Sequence, residues 1–135
     1  LVRSPVDRVE AVGVPILTEK PDIANARIRF ANGCIANLTS SRVSMKRERR
    51  VRFFQSDAYI SLDYDKRRAQ IYRKKGKSGG VESIFSETVE IQEGDALADE
   101  IASFLEVVKT RGTPLVSGEE GLKALNIASM VSEQL

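Results

Sequence analysis

The dipeptide Asn32-Gly33, set between two stretches of β-type residues, constrains the fold of this chain most strongly. From Ala24 to Phe30 apolar residues alternate with polar ones, mostly arginine, and a period of two predicts a half-buried strand. The segment from Cys34 to Val43 predicts the return strand. Because Asn-Gly suits the positive φ angles of a two-residue type I′ turn, the sequence predicts a tight hairpin of antiparallel neighbours.

The order of the other elements extends this prediction to the whole chain. A helix is predicted after a possible N-cap at Asp95, and Gly112 and Pro114 end it. A capping box from Ser117 to Glu120 opens a second helix. Because strands come first and helices last, the fold class is α+β: an open, mostly antiparallel sheet with the two C-terminal helices on one face. Further strands are predicted at Val9 to Leu17, Arg50 to Phe54, Ala58 to Tyr64, Ala69 to Arg73 and Thr88 to Ile91.

The size and charge of the chain limit what it can do. Its 135 residues suit one domain, 1–135, and its net charge of +2 gives no global attraction to nucleic acid or an anionic membrane. No apolar run is long enough to span a bilayer. The single Cys34 cannot form an internal disulfide, which fits a reducing cytoplasm, and we expect it in the core. The absence of an initiator Met suggests a piece of a longer protein.

The sequence carries no catalytic or metal-binding motif. It has no histidine, which removes the commonest acid–base group and metal ligand. The glycines at Gly76, Gly79 and Gly80 lie in a basic loop with the wrong spacing for G-x-G-x-x-G. We therefore expect no catalytic residue, cofactor site or metal site in this chain, and no complete enzyme.

Two basic segments have alternative interpretations. The cluster from Lys46 to Arg52 could bind phosphate groups or RNA, but a solvated loop entering a strand is favoured, because aromatic residues do not interleave with the charges. The segment from Lys74 to Gly80 is predicted to be a flexible loop.

The polar residues of the predicted hairpin are the candidate site. They should project from the sheet on the side away from the helices, where they could hydrogen-bond a polar ligand or a partner subunit. Plain solvent exposure is the alternative, although Ile35 and Val43 among them favour a covered face. The candidates are Arg27, Arg29, Asn37, Thr39, Ser41 and Arg42.

Several local strings resemble the C-terminal domain of the Gfo/Idh/MocA oxidoreductases, the glucose–fructose oxidoreductase and inositol dehydrogenase family. The resemblance runs from about Val9 to Met130 and is nearest to a branch that acts on nucleotide sugars. The strings are Asp22 to Phe30, Asn32 to Arg42, Asp57 to Asp63, Glu100 to Phe104 and Pro114 to Gly121.

The resemblance implies a domain that contributes substrate contacts and a subunit interface. In the family an N-terminal Rossmann domain, absent from this chain, binds NAD or NADP, and the other face of the C-terminal sheet meets substrate and neighbouring subunits. The implied partners are that Rossmann domain, a sugar or nucleotide-sugar substrate and further copies of the chain. The motif Glu19-Lys20-Pro21 is not interpreted as the family's catalytic lysine, because it lies in a turn that corresponds to a variable loop. A structural dimerisation domain of unrelated origin is a third hypothesis.

Overall fold

A computed structural model describes residues 2–74, 84–91 and 94–135, and these residues form two compact units. The first unit contains the chain up to Met45 together with Phe104–Leu135, and the second contains Lys46–Ser103. The predicted loop from Lys74 to Gly80 lies, beyond Lys74, outside the described residues. The elements are β1 (Val6–Val14), β2 (Ile23–Phe30), β3 (Ile35–Ser41), β4 (Arg50–Phe54), β5 (Ala58–Asp63), β6 (Arg68–Lys74), β7 (Ile84–Glu90), α1 (Ala96–Thr110) and α2 (Gly118–Ser132).

In the first unit, α2 packs against one side of an antiparallel sheet with the strand order β1-β2-β3, which we call the first sheet. The core on that side is formed by Val9, Ile28 and Phe30, and Ile127 and Val131 of α2 pack against it. Alternation along β2 causes this arrangement, since Ala26, Ile28 and Phe30 are buried and the residues between them are exposed.

The hairpin between β2 and β3 exists, but its turn differs from the predicted type I′. The amide of Gly33 donates to the carbonyl of Phe30 over 2.9 Å, and within this turn only Gly33 has a positive φ, at 85°. This pattern is typical of a longer hairpin loop, in which a type I turn is followed by a left-handed glycine. The expected burial of Cys34 is wrong: its side chain is exposed, because it lies at the hairpin end just before β3, while α2 packs against β1 at the far side of the sheet.

Gly13 allows the chain to pass closely over the covered side of the first sheet. A Cβ atom at this position would lie 2.7 Å from Cβ of Pro21 and 3.1 Å from Cδ2 of Leu135. We expect Gly13→Ala to lower the free energy of unfolding by about 1–3 kcal/mol, because the proline ring cannot move aside without moving its backbone. Urea unfolding measures the change, and Gly121→Ala in α2 is the control. A Cβ at Gly121 meets no atom within 4 Å, so this change should raise stability by about 0.5–1 kcal/mol. Equal effects would contradict the close packing at Gly13.

The second unit contains an antiparallel sheet of order β4-β5-β6-β7, which we call the second sheet. Its register places Val51 opposite Leu62, and Leu62 opposite Ala69, on one apolar side. On the other side the rings of Phe54 and Tyr59 stack at 5.0 Å, and those of Tyr59 and Tyr72 at 5.6 Å. Cross-strand aromatic contacts of this kind stabilise the sheet register.

Helix α1 begins in the second unit and ends in the first. The predicted N-cap is confirmed, since Oδ1 of Asp95 accepts hydrogen bonds from the amides of Leu97 and Ala98. At the C-terminal end the left-handed residue is Arg111, with φ 52°, and the amide of Gly112 donates to the carbonyl of Val107. Several large apolar side chains of α1 remain more than half exposed, and they are Leu97, Ile101, Phe104, Leu105 and Val108.

The α+β class with antiparallel strands is confirmed. The prediction of one sheet is wrong, since the strands of the described residues are distributed over two sheets. The capping box at the start of α2 is present: Ser117 and Glu120 each accept a hydrogen bond from the other's backbone amide at 3.3 Å. Strand bounds differ most at β1, which begins before the predicted Val9, and at β7, which begins before the predicted Thr88.

Candidate functional site: the open face of the first sheet

The side of the first sheet opposite α2 presents a grid of side chains from all three strands, and we call it the open face. In the register of the three strands, four residues of each strand have side chains on this side of the sheet. The grid is polar in the middle and more apolar towards the end of β1. Its members are Arg8, Glu10, Val12 and Val14 on β1, Ile23, Asn25, Arg27 and Arg29 on β2, and Ile35, Asn37, Thr39 and Ser41 on β3.

Cross-strand hydrogen bonds order the polar middle of the open face. Arg27 lies opposite Asn37 and donates from Nη1 to its Oδ1 over 3.2 Å. One row away, the hydroxyl of Thr39 donates to Oδ1 of Asn25 over 2.9 Å. The structure therefore brings Arg27, Asn37 and Thr39 together on adjacent strands, with the arginine fixed in position and exposed to a ligand or a partner.

A depression with a volume of about 400 Å³ lies over this polar middle. Glu10 and Arg27 contribute opposite charges to its lining, Asn25, Asn37 and Thr39 contribute amides and a hydroxyl, and Val12 contributes an apolar edge. Because most of its accessible lining is carbon, the depression suits a surface that combines apolar atoms with a few polar groups, such as a sugar ring. The depression is shallow enough that a protein surface could also fill it.

The other three candidates lie at the margins of the face. Arg29 forms a 2.6 Å ion pair with Asp7. The hydroxyl of Ser41 accepts hydrogen bonds from the amides of Val43 and Ser44, so it stabilises the turn after β3. The side chain of Arg42 turns to Asp22, with Nε 3.5 Å from Oδ1. Ser41 and Arg42 are thus engaged in local structure, and the polar middle is formed without them.

Asp22 is a buried charged residue, although the sequence predicts only a polar turn from Thr18 to Asp22. Its side chain is fully buried, and Oδ2 accepts from the successive amides of Ile16, Leu17 and Thr18 at 2.7–2.9 Å. Oδ1 accepts from the Thr18 hydroxyl at 3.0 Å. These backbone amides are the main cause that holds the pKa of the Asp22 carboxyl far below its usual range. The carboxylate thereby fixes the loop beside the apolar end of the open face.

We expect Asp22→Asn to lower the melting temperature at neutral pH by roughly 5–15 °C, because an amide group cannot satisfy all five donors. The folded pKa is depressed, so the stabilisation is fully present above the unfolded pKa of about 4 and is lost as pH falls towards the folded value. Melting curves between about pH 7 and pH 2 should therefore show a steeper loss of stability for the wild type than for the variant. Parallel curves for the two proteins would contradict the role of Asp22.

The basic cluster from Lys46 to Arg52 is largely neutralised by acidic neighbours. Arg50 bonds to Asp63 at 2.8 Å and to Glu48 at 3.2 Å, and Arg47 lies 3.4 Å from Asp65. The hydrogen bond from Arg50 is the main reason that the pKa of the Asp63 carboxyl is lowered. These pairs favour the interpretation as a structural, solvated segment over a phosphate-binding patch.

Among residues 2–74, 84–91 and 94–135, no group of three His, Cys, Asp or Glu side chains could hold a metal ion. Neither of the helices in these ranges has the length and apolar character needed to cross a lipid bilayer.

Known structures place this fold in a definite class: it is the fold of the Gfo/Idh-type dehydrogenases, and the resemblance to their C-terminal domain is confirmed. The chain is 38% identical over 128 residues to UDP-N-acetylglucosamine 3-dehydrogenase of Acidithiobacillus ferrooxidans, a match that includes 94% of this chain. A solved structure of that enzyme superimposes with a TM-score of 0.89 over 98% of this chain, at 34% identity.

The likeness extends to more distant dehydrogenases but includes only part of each relative. Levoglucosan dehydrogenase in complex with NADH and levoglucosan has a TM-score of 0.77 over 93% of this chain, and at 17% identity it shows the shared fold alone. The chain spans 41% of the length of the A. ferrooxidans relative. No family model matches the sequence.

Proposed function

We propose that this chain is the C-terminal domain of a cytoplasmic NAD(P)-dependent oxidoreductase that acts on a nucleotide sugar. The observation that carries the proposal is the 38% identity to UDP-N-acetylglucosamine 3-dehydrogenase over 94% of the chain, together with the TM-score of 0.89. The domain supplies the open face, which contacts the sugar substrate or a second subunit through Arg27, Asn37 and Thr39, with Arg29, Ser41 and Arg42 at its margins. Further copies of the chain and a Rossmann domain are its partners.

The described residues do not fit a nicotinamide dinucleotide. Such a cofactor binds where a parallel strand runs through a glycine-rich turn into a helix. Every strand pairing in the described residues is antiparallel, and the sequence between β7 and α1 carries one glycine, Gly94. The cofactor that performs the hydride transfer is therefore held elsewhere in the parent protein, and this domain positions the substrate for it.

The test is an assay of the full-length protein with UDP-N-acetylglucosamine and either NAD or NADP, following cofactor reduction by absorbance. Reduction that depends on the nucleotide sugar is expected. Calorimetry with NAD tests which part of the protein binds the cofactor: the full-length protein should bind NAD, and the 135-residue chain should not. No turnover with any nucleotide sugar, under conditions in which the A. ferrooxidans enzyme is active, would refute the proposed activity.

A phosphate-binding or RNA-binding function is the second candidate. It is less favoured, because acidic side chains already pair with arginines of the Lys46 to Arg52 cluster. Binding through phosphate contacts would fall steeply as the salt concentration rises. In a filter-binding assay, retention of RNA at low salt that disappears at high salt would support this second function.

A further inference from the structure

A stack of aromatic rings crosses three strands of the second sheet and ends at the edge of that sheet. The rings of Phe54, Tyr59 and Tyr72 follow one another on β4, β5 and β6, with centroids 5.0 Å and 5.6 Å apart. In the described residues β4 pairs only with β5, so Phe54 is the outermost ring of the stack. One face of its ring lies against Tyr59, yet the residue is 80% exposed, and the outer face of the ring is therefore open.

The open face of an outermost ring suits another planar group. Aromatic rings prefer offset stacking, and a flat heterocycle on the outer face of Phe54 would continue the stack as a fourth ring. Such a contact would remove apolar surface from water. Because the ring of Phe54 already lies against that of Tyr59, it loses little conformational freedom when a ligand binds. The stack is therefore preorganised to bind a planar ring.

Arg52 places a positive charge beside the outermost ring. It precedes Phe54 by two residues on β4, so the two side chains lie on the same side of the sheet, roughly 6.6 Å apart along the strand. The guanidinium is half-exposed, and its distance to the carboxylate of Glu48 is 4.0 Å, whereas Arg50 of the same cluster lies 2.8 Å from Asp63. Arg52 is thus more loosely paired than Arg50, and its N–H donors suit the carbonyl and phosphate oxygens of a nucleotide.

We propose that Phe54 and Arg52 bind the nucleoside diphosphate portion of the substrate, with the base stacked on Phe54 and Arg52 donating to oxygens of the same ligand. The inference rests on the proposed function, in which the substrate carries both a planar base and a diphosphate. A nucleotide is favoured over a protein partner, because one open ring is far smaller than the area that a stable protein interface buries. The cation beside the ring matches the negative charge of a diphosphate. This site belongs to the second unit and is distinct from the open face.

The test measures the binding of uridine diphosphate to the full-length protein by calorimetry. Phe54→Ala should weaken binding by roughly 5- to 150-fold, the range expected for one base stacked on an aromatic ring. Phe54→Trp keeps a flat ring at this position and should bind at least as tightly as the wild type. Arg52→Gln should weaken binding by about tenfold or more, because a charged donor is lost. Tyr64→Ala is the control, since it removes an exposed aromatic ring outside the stack and should leave binding unchanged.

The outcomes separate this inference from the proposed function. If the wild type oxidises UDP-N-acetylglucosamine and binds uridine diphosphate, then unchanged binding in Phe54→Ala, or an equal loss in Tyr64→Ala, would overturn this inference alone. A change of subunit association in Phe54→Ala without a change in nucleotide binding, measured by sedimentation, would assign the ring to an interface and would also overturn it. A wild type that neither binds uridine diphosphate nor uses the nucleotide sugar would overturn both the inference and the proposed function.

Discussion

Replacing Ile28 with alanine is expected to lower the free energy of unfolding by about 2–5 kcal/mol, because the side chain is 2% exposed and lies in the core under α2. The loss combines the transfer of buried methyl groups with the cavity that remains between the first sheet and the helix. Denaturant unfolding of the wild type and the variant, fitted with a common slope, measures the change.

Ile35→Ala is the matched control for this prediction. Ile35 belongs to the same hairpin but lies on the open face and is 44% exposed, so its loss should cost less than about 1 kcal/mol. The pair of variants therefore tests which side of the first sheet is the core. A larger loss for Ile35 than for Ile28 would reverse the assignment of the two faces.

Replacing Arg27 with alanine in the full-length protein is expected to weaken binding of the nucleotide sugar or of the partner subunit by roughly 10- to 150-fold. This range corresponds to the loss of a hydrogen bond that involves a charged group, about 1.5–3 kcal/mol. The guanidinium is exposed and is held by Asn37, so folding should change little when it is removed. Steady-state kinetics and sedimentation equilibrium, measured on the same variant, distinguish the two roles.

Lys123→Ala provides the control, because it removes a positive charge of the same sign from an exposed position on α2. It should leave both the kinetics and the subunit association unchanged. If Arg27→Ala, like Lys123→Ala, left both unchanged, the open face would lose its proposed role.

The sequence predicts the first sheet well because its signals are local. Alternation along β2 decides which side is buried, and the capping box of α2 needs only residues from Ser117 to Glu120. The candidate residues Arg27, Asn37 and Thr39 follow from the same alternation, since residues opposite each other in a hairpin share a face. Their roles in binding remain predictions.

Features that depend on the folded conformation of a loop, or on distant contacts, were not predictable. Asp22 looks like an ordinary turn residue, and only the folded loop shows three amides converging on its carboxylate. The contact of Gln134 with β1 joins residues more than 120 positions apart. Cys34 has a suitable position in the alternation, yet it is exposed, because it lies at the hairpin end beside β3, whereas α2 packs against β1 on the other side of the sheet.

The most direct measurement is the reactivity of a thiol placed on the open face. In a Cys34→Ser background, Thr39→Cys and Glu19→Cys can be made in the full-length protein, and labelling of each position can be followed by peptide mass spectrometry with the nucleotide sugar present. Both positions are exposed in this chain. If the open face meets substrate or a sister subunit, position 39 should react about tenfold or more slowly than position 19. Equal rates at the two positions would contradict the account.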